Sequence, residues 1–130
     1  MGFNVPMAHK LTAGADILLM PSRFEPCGLN QIYAMAYGTI PVAHATGGLR
    51  NTVIECDAEA GTATGFTFEN ATSDGLKYAA YNAIRMYREE PEEFRKLQLR
   101  GMAADFSWDK AAESYEEIFD WSHTDNPYCG

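Results

Sequence analysis

The chain has 130 residues, of which 46% are hydrophobic, and a formal net charge of −8. That length and apolar content suit one globular domain with a core. The apolar runs are too short to span a bilayer, and no basic-then-apolar leader precedes the patterned sequence. The acidic balance disfavours nucleic acid and anionic membrane as partners. It is uneven: residues 1–50 carry Lys10, Arg23 and Arg50 against Asp16 and Glu25, while residues 51–130 hold nearly all the acids.

In chain order, Met7, Leu11 and Ala15 recur every four residues, so Pro6–Ala13 reads as a helix with proline at its start and Gly14 at its end. Ile17–Met20 (ILLM) is an unbroken apolar run, as expected of a strand buried in a parallel sheet. Pro21 closes it. Helical character resumes over Leu29–Tyr37, with Leu29, Ile32 and Ala36 on one expected face, and Gly38 stops it. Thr39–Ala45 reads as a second strand and Leu49–Ile54 as a short helix. Glu55–Thr64 is small and polar, a surface loop. Gly65–Phe68 is a third strand.

Three helices are then expected. Ser73–Tyr87 has Leu76, Ala80, Ala83 and Tyr87 on one stripe, and the next, opened by Pro91, has Phe94, Leu97 and Gly101 inward. The last is capped by Ser107, with Ala111, Tyr115, Ile118 and Phe119 as its buried face. Residues 123–130 show no periodicity and read as an irregular tail. The alternation predicts an α/β domain over residues 1–122, with parallel strands, flanking helices and a helical C-terminal segment. Three strands are few for a Rossmann-like sheet, and a leading helix should follow an earlier strand. Both features suggest the back portion of a larger domain.

Two turns carry the chemistry. Pro21–Gln31 (PSRFEPCGLNQ) joins the first strand to a helix, and Thr46–Gly48 (TGG) follows the second strand. In open α/β sheets ligands bind beyond the carboxyl ends of the strands, so parallel strands would present both turns on one edge. Helix N-termini favour phosphate oxygens, through free amides at Gly28, Leu29 and Asn30 and at Gly47, Gly48 and Leu49. Together they suggest a phosphate or nucleotide-sugar site.

Glu25 has two readings. It sits favourably against the helix dipole, contributing roughly 0.3–1 kcal/mol, or it faces a transferring sugar and stabilises an oxocarbenium-like charge. Arg23 either binds an anion or orients Glu25 through a forked pair. Cys27 either lines the site or packs locally, or acts as a nucleophile with its thiol pKa lowered by the helix start. His44 either touches ligand near the TGG turn or is structural, and His9 has no evident partner. The three cysteines, Cys27, Cys56 and Cys129, lack metal-like spacing, and their odd number and wide gaps suggest a reducing compartment.

Residues 16–53, ADILLMPSRFEPCGLNQIYAMAYGTIPVAHATGGLRNTV, resemble the donor-site core of bacterial glycogen synthases and of plant and algal soluble starch synthases. The resemblance continues through TGFTF at 64–68, FSWDKAAESYEEIF at 106–119 and the terminal DNPY at 125–128, which is more like the starch synthases. It implies the C-terminal donor-binding part of a retaining hexosyltransferase of the GT-B fold, which moves glucose from ADP-glucose to the non-reducing end of an α-1,4-glucan. No metal or cofactor is implied.

By resemblance Glu25 is the catalytic glutamate and Cys27 the cysteine beside the donor. Gly28, Leu29 and Asn30 meet the diphosphate, Thr46, Gly47 and Gly48 hold the donor glucose and phosphates, and Phe3 lies against the adenine ring. The glucan-binding N-terminal domain, and the upstream Arg and Lys that clamp the diphosphate, are not in these residues, so the fragment alone is expected to be inactive. Asn51 stands where the family usually has Asp. The implied location is the plastid for a plant or algal chain and the cytoplasm for a bacterial one.

Two alternatives come from other classes. One is a non-catalytic nucleotide-binding or interaction module derived from such an enzyme. The other is a different GT-B transferase, in which a second glutamate would be expected where Tyr33 stands.

Overall fold

The computed structural model describes residues 4–56 and 61–124. The elements run α1 (Val5–Ala13), β1 (Ile17–Met20), α2 (Asn30–Tyr37), β2 (Ile40–His44), α3 (Gly47–Thr52), β3 (Phe66–Phe68), α4 (Ser73–Glu89), α5 (Pro91–Ala103) and α6 (Trp108–Thr124). The strands form one parallel sheet in the order β1-β2-β3. Ile17 faces Ile40 across the first pair, and Val42 faces Phe66 across the second. The parallel register follows from helical crossovers between strands, which return the chain to the same end of the sheet.

β2 is buried throughout, as its central place requires. Its alternate side chains divide the core. Ile40 and Val42 join Phe66, Phe68, Ala79, Ala83, Phe94 and Leu97 beneath α4 and α5. Ala43 joins Met20, Leu49 and Val53 beneath α3. Gly101 of α5 lets that helix approach Met35 of α2, where an added Cβ would sit 3.4 Å from the Met35 side chain.

Local chemistry sets the ends. The side chain of Asn4 accepts the Met7 amide and that of Thr72 accepts the Gly75 amide, capping α1 and α4. Gly38 ends α2 at φ +79°, a left-handed conformation that glycine adopts without the Cβ penalty. Ser107 Oγ accepts the Lys110 amide at the start of α6.

The expected inward faces need correction at four helices. In α4 the buried residues are Ala79 and Ala83, whereas Tyr87 of the expected stripe is 45% exposed. In α2 the buried residues are Gln31, Ala34 and Met35, whereas Leu29 and Ala36 are exposed. The face is rotated because a polar residue, Gln31, goes inside, where the neighbouring loops supply partners for its amide. α1 buries nothing, and its Leu11 is 68% exposed. α6 also buries nothing: Tyr115, Ile118 and Phe119 are exposed and Ala111 is only partly covered. Its apolar stripe exists but meets no packing surface among the described residues. In α5, Phe94, Leu97 and Gly101 are the buried residues, as expected. α6 continues to Thr124, so the helix takes in the first two residues of the expected tail. Residues 125–130 lie outside the described residues.

Candidate functional site

β1 and β2 run in parallel with Met20 opposite Ala43, so the loops that follow them leave the same edge of the sheet. The first loop, residues 21–29, carries Arg23, Glu25, Cys27, Gly28 and Leu29. The second is Ala45–Thr46, which feeds α3 at Gly47. The two meet backbone to backbone. Gly48 N–H donates to the Glu25 carbonyl at 3.1 Å. A Cβ on Gly47 would lie 1.9 Å from that same carbonyl oxygen, and one on Gly48 would lie 2.1 Å from the Cys27 oxygen. No side chain fits either place. Gly28 and Gly47 also hold positive φ, +75° and +47°, which glycine tolerates best. The glycines of the second turn are therefore required first by contact with the first turn.

A side-chain bridge reinforces this contact. The Gln31 amide, fully buried, donates from Nε2 to the Gly28 carbonyl at 2.8 Å, and the Cys27 carbonyl (3.3 Å) and Thr52 Oγ1 (3.0 Å) lie in reach of the same nitrogen. Thr52 Oγ1 in turn donates to the Gly48 carbonyl at 2.8 Å. Gln31 and Thr52 thus tie α2, α3 and both turns together. Gln31 Oε1 is buried without a partner, a cost of about 1–3 kcal/mol that an apolar residue would avoid.

Glu25 is half-buried, and Ser22 Oγ donates to its Oε2 at 3.5 Å. Arg23 is exposed and forms no ion pair with Glu25, so the forked pair considered from sequence is not made. The exposed Cys27 thiol points to the Gly28 carbonyl at 3.8 Å and is a free cysteine. Leu29 is the N-cap of α2 and exposed, and Asn30 opens the helix. The first amides of α2 lack intrahelical acceptors by construction and carry the positive end of its dipole. In the second turn the Gly48 amide goes to Glu25 and the Leu49 amide to the Thr46 carbonyl at 3.1 Å, which leaves the Gly47 amide as the donor available to a ligand. Phe3 lies outside the described residues.

His9 and His44 acquire partners that the sequence did not reveal. His44 is buried at the end of β2, with Nδ1 2.7 Å from the Ser22 carbonyl and Nε2 3.2 Å from the Glu69 carbonyl. It reaches the catalytic-loop candidate from beneath instead of facing outward. His9 Nδ1 lies 3.1 Å from the Tyr37 hydroxyl, and its ring packs on Tyr33 at 5.2 Å. A cavity of about 510 Å³, lined among others by His9, Leu18, Tyr33, Leu29 and Asn30, opens beside the start of α2. Arg50 is turned back: its Nε and one terminal nitrogen donate to the Ala45 carbonyl, and it pairs with Glu69 at 2.8 Å. Sequence reasoning missed Ser22, Gln31 and Thr52 as parts of this assembly. The only sequence signal was a polar Gln at an otherwise apolar helix position.

Among the described residues no cluster of His, Cys, Asp or Glu is placed to hold a metal ion, and no helix is long and apolar enough to cross a membrane.

Residues 3–97 match the family model for glycosyl transferases group 1. Soluble starch synthase 1, chloroplastic/amyloplastic, of Oryza sativa subsp. indica is 54% identical over 98% of this chain and 20% of its own length. Starch synthase 2, chloroplastic/amyloplastic, of Arabidopsis thaliana is 59% identical over 91% of this chain and 15% of its own length. The chain thus spans about a fifth or less of the curated relatives it matches. Among solved structures, the catalytic domain of starch synthase IV from Arabidopsis thaliana, bound to ADP and acarbose, superposes with a TM-score of 0.84 at 38% identity, over 94% of this chain and 25% of that one. Sucrose-phosphate synthase from Thermosynechococcus elongatus gives a TM-score of 0.61 at 30% identity, over 85% of this chain and 27% of that one.

Proposed function

The chain belongs to the group 1 glycosyl transferases, and from that membership we propose that it is the donor-binding, C-terminal portion of a starch synthase. Within a longer chain it would move glucose from ADP-glucose to the non-reducing end of an α-1,4-glucan with retention. Support comes from the likeness to soluble starch synthases over nearly all its residues and from the fold shared with an ADP-bound starch synthase catalytic domain. The chloroplastic/amyloplastic names of its relatives support a plastid as its location.

One observation in the geometry carries the reading. The Glu25 loop and the TGG turn are joined into a single rim by the Gly48–Glu25 hydrogen bond and the Gln31 bridge. On that rim the α2 amides and the Gly47 amide would take the diphosphate oxygens of ADP-glucose, and Thr46, Gly47 and Gly48 would border the donor glucose. Glu25 would face the anomeric centre, where its carboxylate opposes the positive charge that develops as the bond to the diphosphate breaks. Cys27 would line the donor side. Phe3 would stack on the adenine, and the glucan would come from the opposing domain of the longer chain.

The test transplants residues 1–130 into a full-length starch synthase in place of the matching residues and assays glucose transfer from ADP-glucose. The transplant is expected to be active, and Glu25→Gln to lower kcat by about 10²–10³, the usual loss when a group that stabilises transition-state charge is removed. An inactive but folded transplant, or full activity with Glu25→Gln, would refute the reading. Preference for a UDP-sugar would move it to another transferase of the family.

A further inference from the structure

We propose that the cleft between the end of α3, the segment leading into β3 and the α5–α6 junction is a second anion site, which takes a small phosphate monoester such as a sugar phosphate. Thr62 precedes β3, and β3 is parallel to β2, so the cleft lies at the end of the sheet opposite the donor rim. The inference therefore stands apart from the donor-site reading.

The cleft encloses about 530 Å³, and its lining includes Arg100, Lys110, Asp105, Asn51, Thr62 and Phe106. Arg100, in the last turn of α5, is half-buried, and its Nε donates to the Ala63 carbonyl at 2.8 Å. That bond anchors the guanidinium and leaves its terminal amino groups for a ligand. The nearby acids are engaged elsewhere. Glu93 pairs with Lys96 at 2.8 Å and Glu90 with Arg85 at 2.9 Å, while Glu55 accepts the Thr67 amide and hydroxyl. Asp105, the acid on the cleft wall, accepts the Ser107 amide at 2.8 Å. Among the described residues no carboxylate is paired with Arg100 or Lys110.

Two cations against one acid leave the wall with one positive charge in excess, in a half of the chain that is otherwise acidic. The surplus depends on Asn51. An Asp at that place, as the family usually has, would bring the count to zero.

Chemistry and size narrow the ligand. A guanidinium fork matches phosphoryl oxygens two at a time, and a lysine beside it adds a point charge. The volume falls within the roughly 300–1,000 Å³ of small-molecule sites, which leaves room beyond one phosphoryl group. Asn51 and Thr62, both exposed, offer an amide and a hydroxyl to sugar hydroxyls, and Phe106 offers an apolar face.

NMR titration of the isotope-labelled chain with glucose 1-phosphate, inorganic phosphate and glucose tests the assignment. Glucose 1-phosphate should shift the Arg100 Nε–H and Thr62 amide signals saturably, with a Kd of about 1 mM or below. Inorganic phosphate should bind about ten-fold more weakly, and glucose should leave both signals unmoved. Lys110→Gln and Asn51→Asp, each at an exposed position, should weaken glucose 1-phosphate binding about ten-fold, the scale of one hydrogen bond to a charged group.

The proposal is overturned if Arg100 shows no saturable shift, if Asn51→Asp binds as tightly as the parent, or if inorganic phosphate matches the monoester. Shifts confined to Gly28, Gly47 and their neighbours would place the ligand on the donor rim and overturn it equally. Should either variant fail to fold, the position and saturation of the shifts in the parent still decide it. An inactive transplant in the transfer assay would defeat the donor-site reading and leave these signals unchanged.

Discussion

Gly48→Ala sets two effects of opposite sign against each other. Gly48 is inside α3 with no positive φ, so helix propensity alone predicts that alanine stabilises the chain by about 0.5–1 kcal/mol. The contact geometry predicts the reverse. The new Cβ would lie 2.1 Å from the Cys27 oxygen and 2.7 Å from both the carbonyl carbon and Cα of Cys27. All three are backbone atoms, so no side-chain rotation relieves the clash. The turns must separate by about an ångström to reach ordinary contact, which breaks the 3.1 Å hydrogen bond from Gly48 to Glu25. Overpacking costs about 1–3 kcal/mol and the lost hydrogen bond about 1. Subtracting the propensity gain leaves a loss of about 1–3.5 kcal/mol, or roughly 4–13 °C in Tm for a chain of this size. The control is Gly61→Ala, where nothing lies within 4 Å of the added Cβ but φ is +60°; it should cost about 1–2 kcal/mol, the left-handed penalty alone. Urea and thermal denaturation of the two variants beside the parent provide the comparison. A Gly48→Ala chain as stable as the parent would refute the claim that the turns are locked backbone to backbone.

Three further outcomes are expected. Gln31→Met keeps the buried volume but removes the amide that bridges both turns, and should lose about 1–2 kcal/mol in urea denaturation, since relief of the orphaned Oε1 offsets part of the broken contacts. Leu97→Ala, at a fully buried α5 position in the main core, should cost about 2–5 kcal/mol, read from the same curves. At Asp105 the backbone amide and then the hydroxyl of Ser107 hold the carboxyl below its ordinary value. A lowered folded-state pKa gives stabilisation that is present above the ordinary carboxylate range and lost as pH falls through the lowered value. Asp105→Asn should therefore lower the thermal stability of the chain near neutral pH, where the parent carboxylate is charged, and converge on the parent as pH falls through the lowered value, read by helical circular dichroism.

β1 and β2 were legible as strands from their largely apolar runs, but only β2 is buried throughout; β1 lies at the edge of the three described strands with Leu19 51% exposed, so its expected burial fails, and α5 was legible because Phe94, Leu97 and Gly101 keep a helical period. The inward face of α2 was not. Periodicity counts apolar residues, and the most buried position near its start is Gln31, polar but satisfied on Nε2 by carbonyls that only the folded loops bring near. α6 fails in the opposite way. Its aromatic period is real, yet Phe119 and Trp121 are 67% and 65% exposed, because a stripe records that a helix has an apolar face and not what covers it. Placing Glu25 and the TGG turn on one edge required only parallel strands. The links among Ser22, His44 and Glu69 join residues more than twenty apart through backbone carbonyls, and carbonyls leave no mark on side-chain identity.

Those links alter what the two motifs mean physically. Read as separate anion-binding turns, each would owe its glycines to close approach by a ligand. In the folded chain, Gly47 and Gly48 have no room for a Cβ because the Glu25 and Cys27 carbonyls occupy it. The site is thus organised before any ligand arrives: glycine brings the turns into contact, Gln31 and Thr52 fasten them from the helix side, and His44 fastens the Glu25 arm from beneath. Preorganisation of this kind is what electrostatic stabilisation of a developing charge requires, since a carboxylate held in place needs no rearrangement at the moment of reaction.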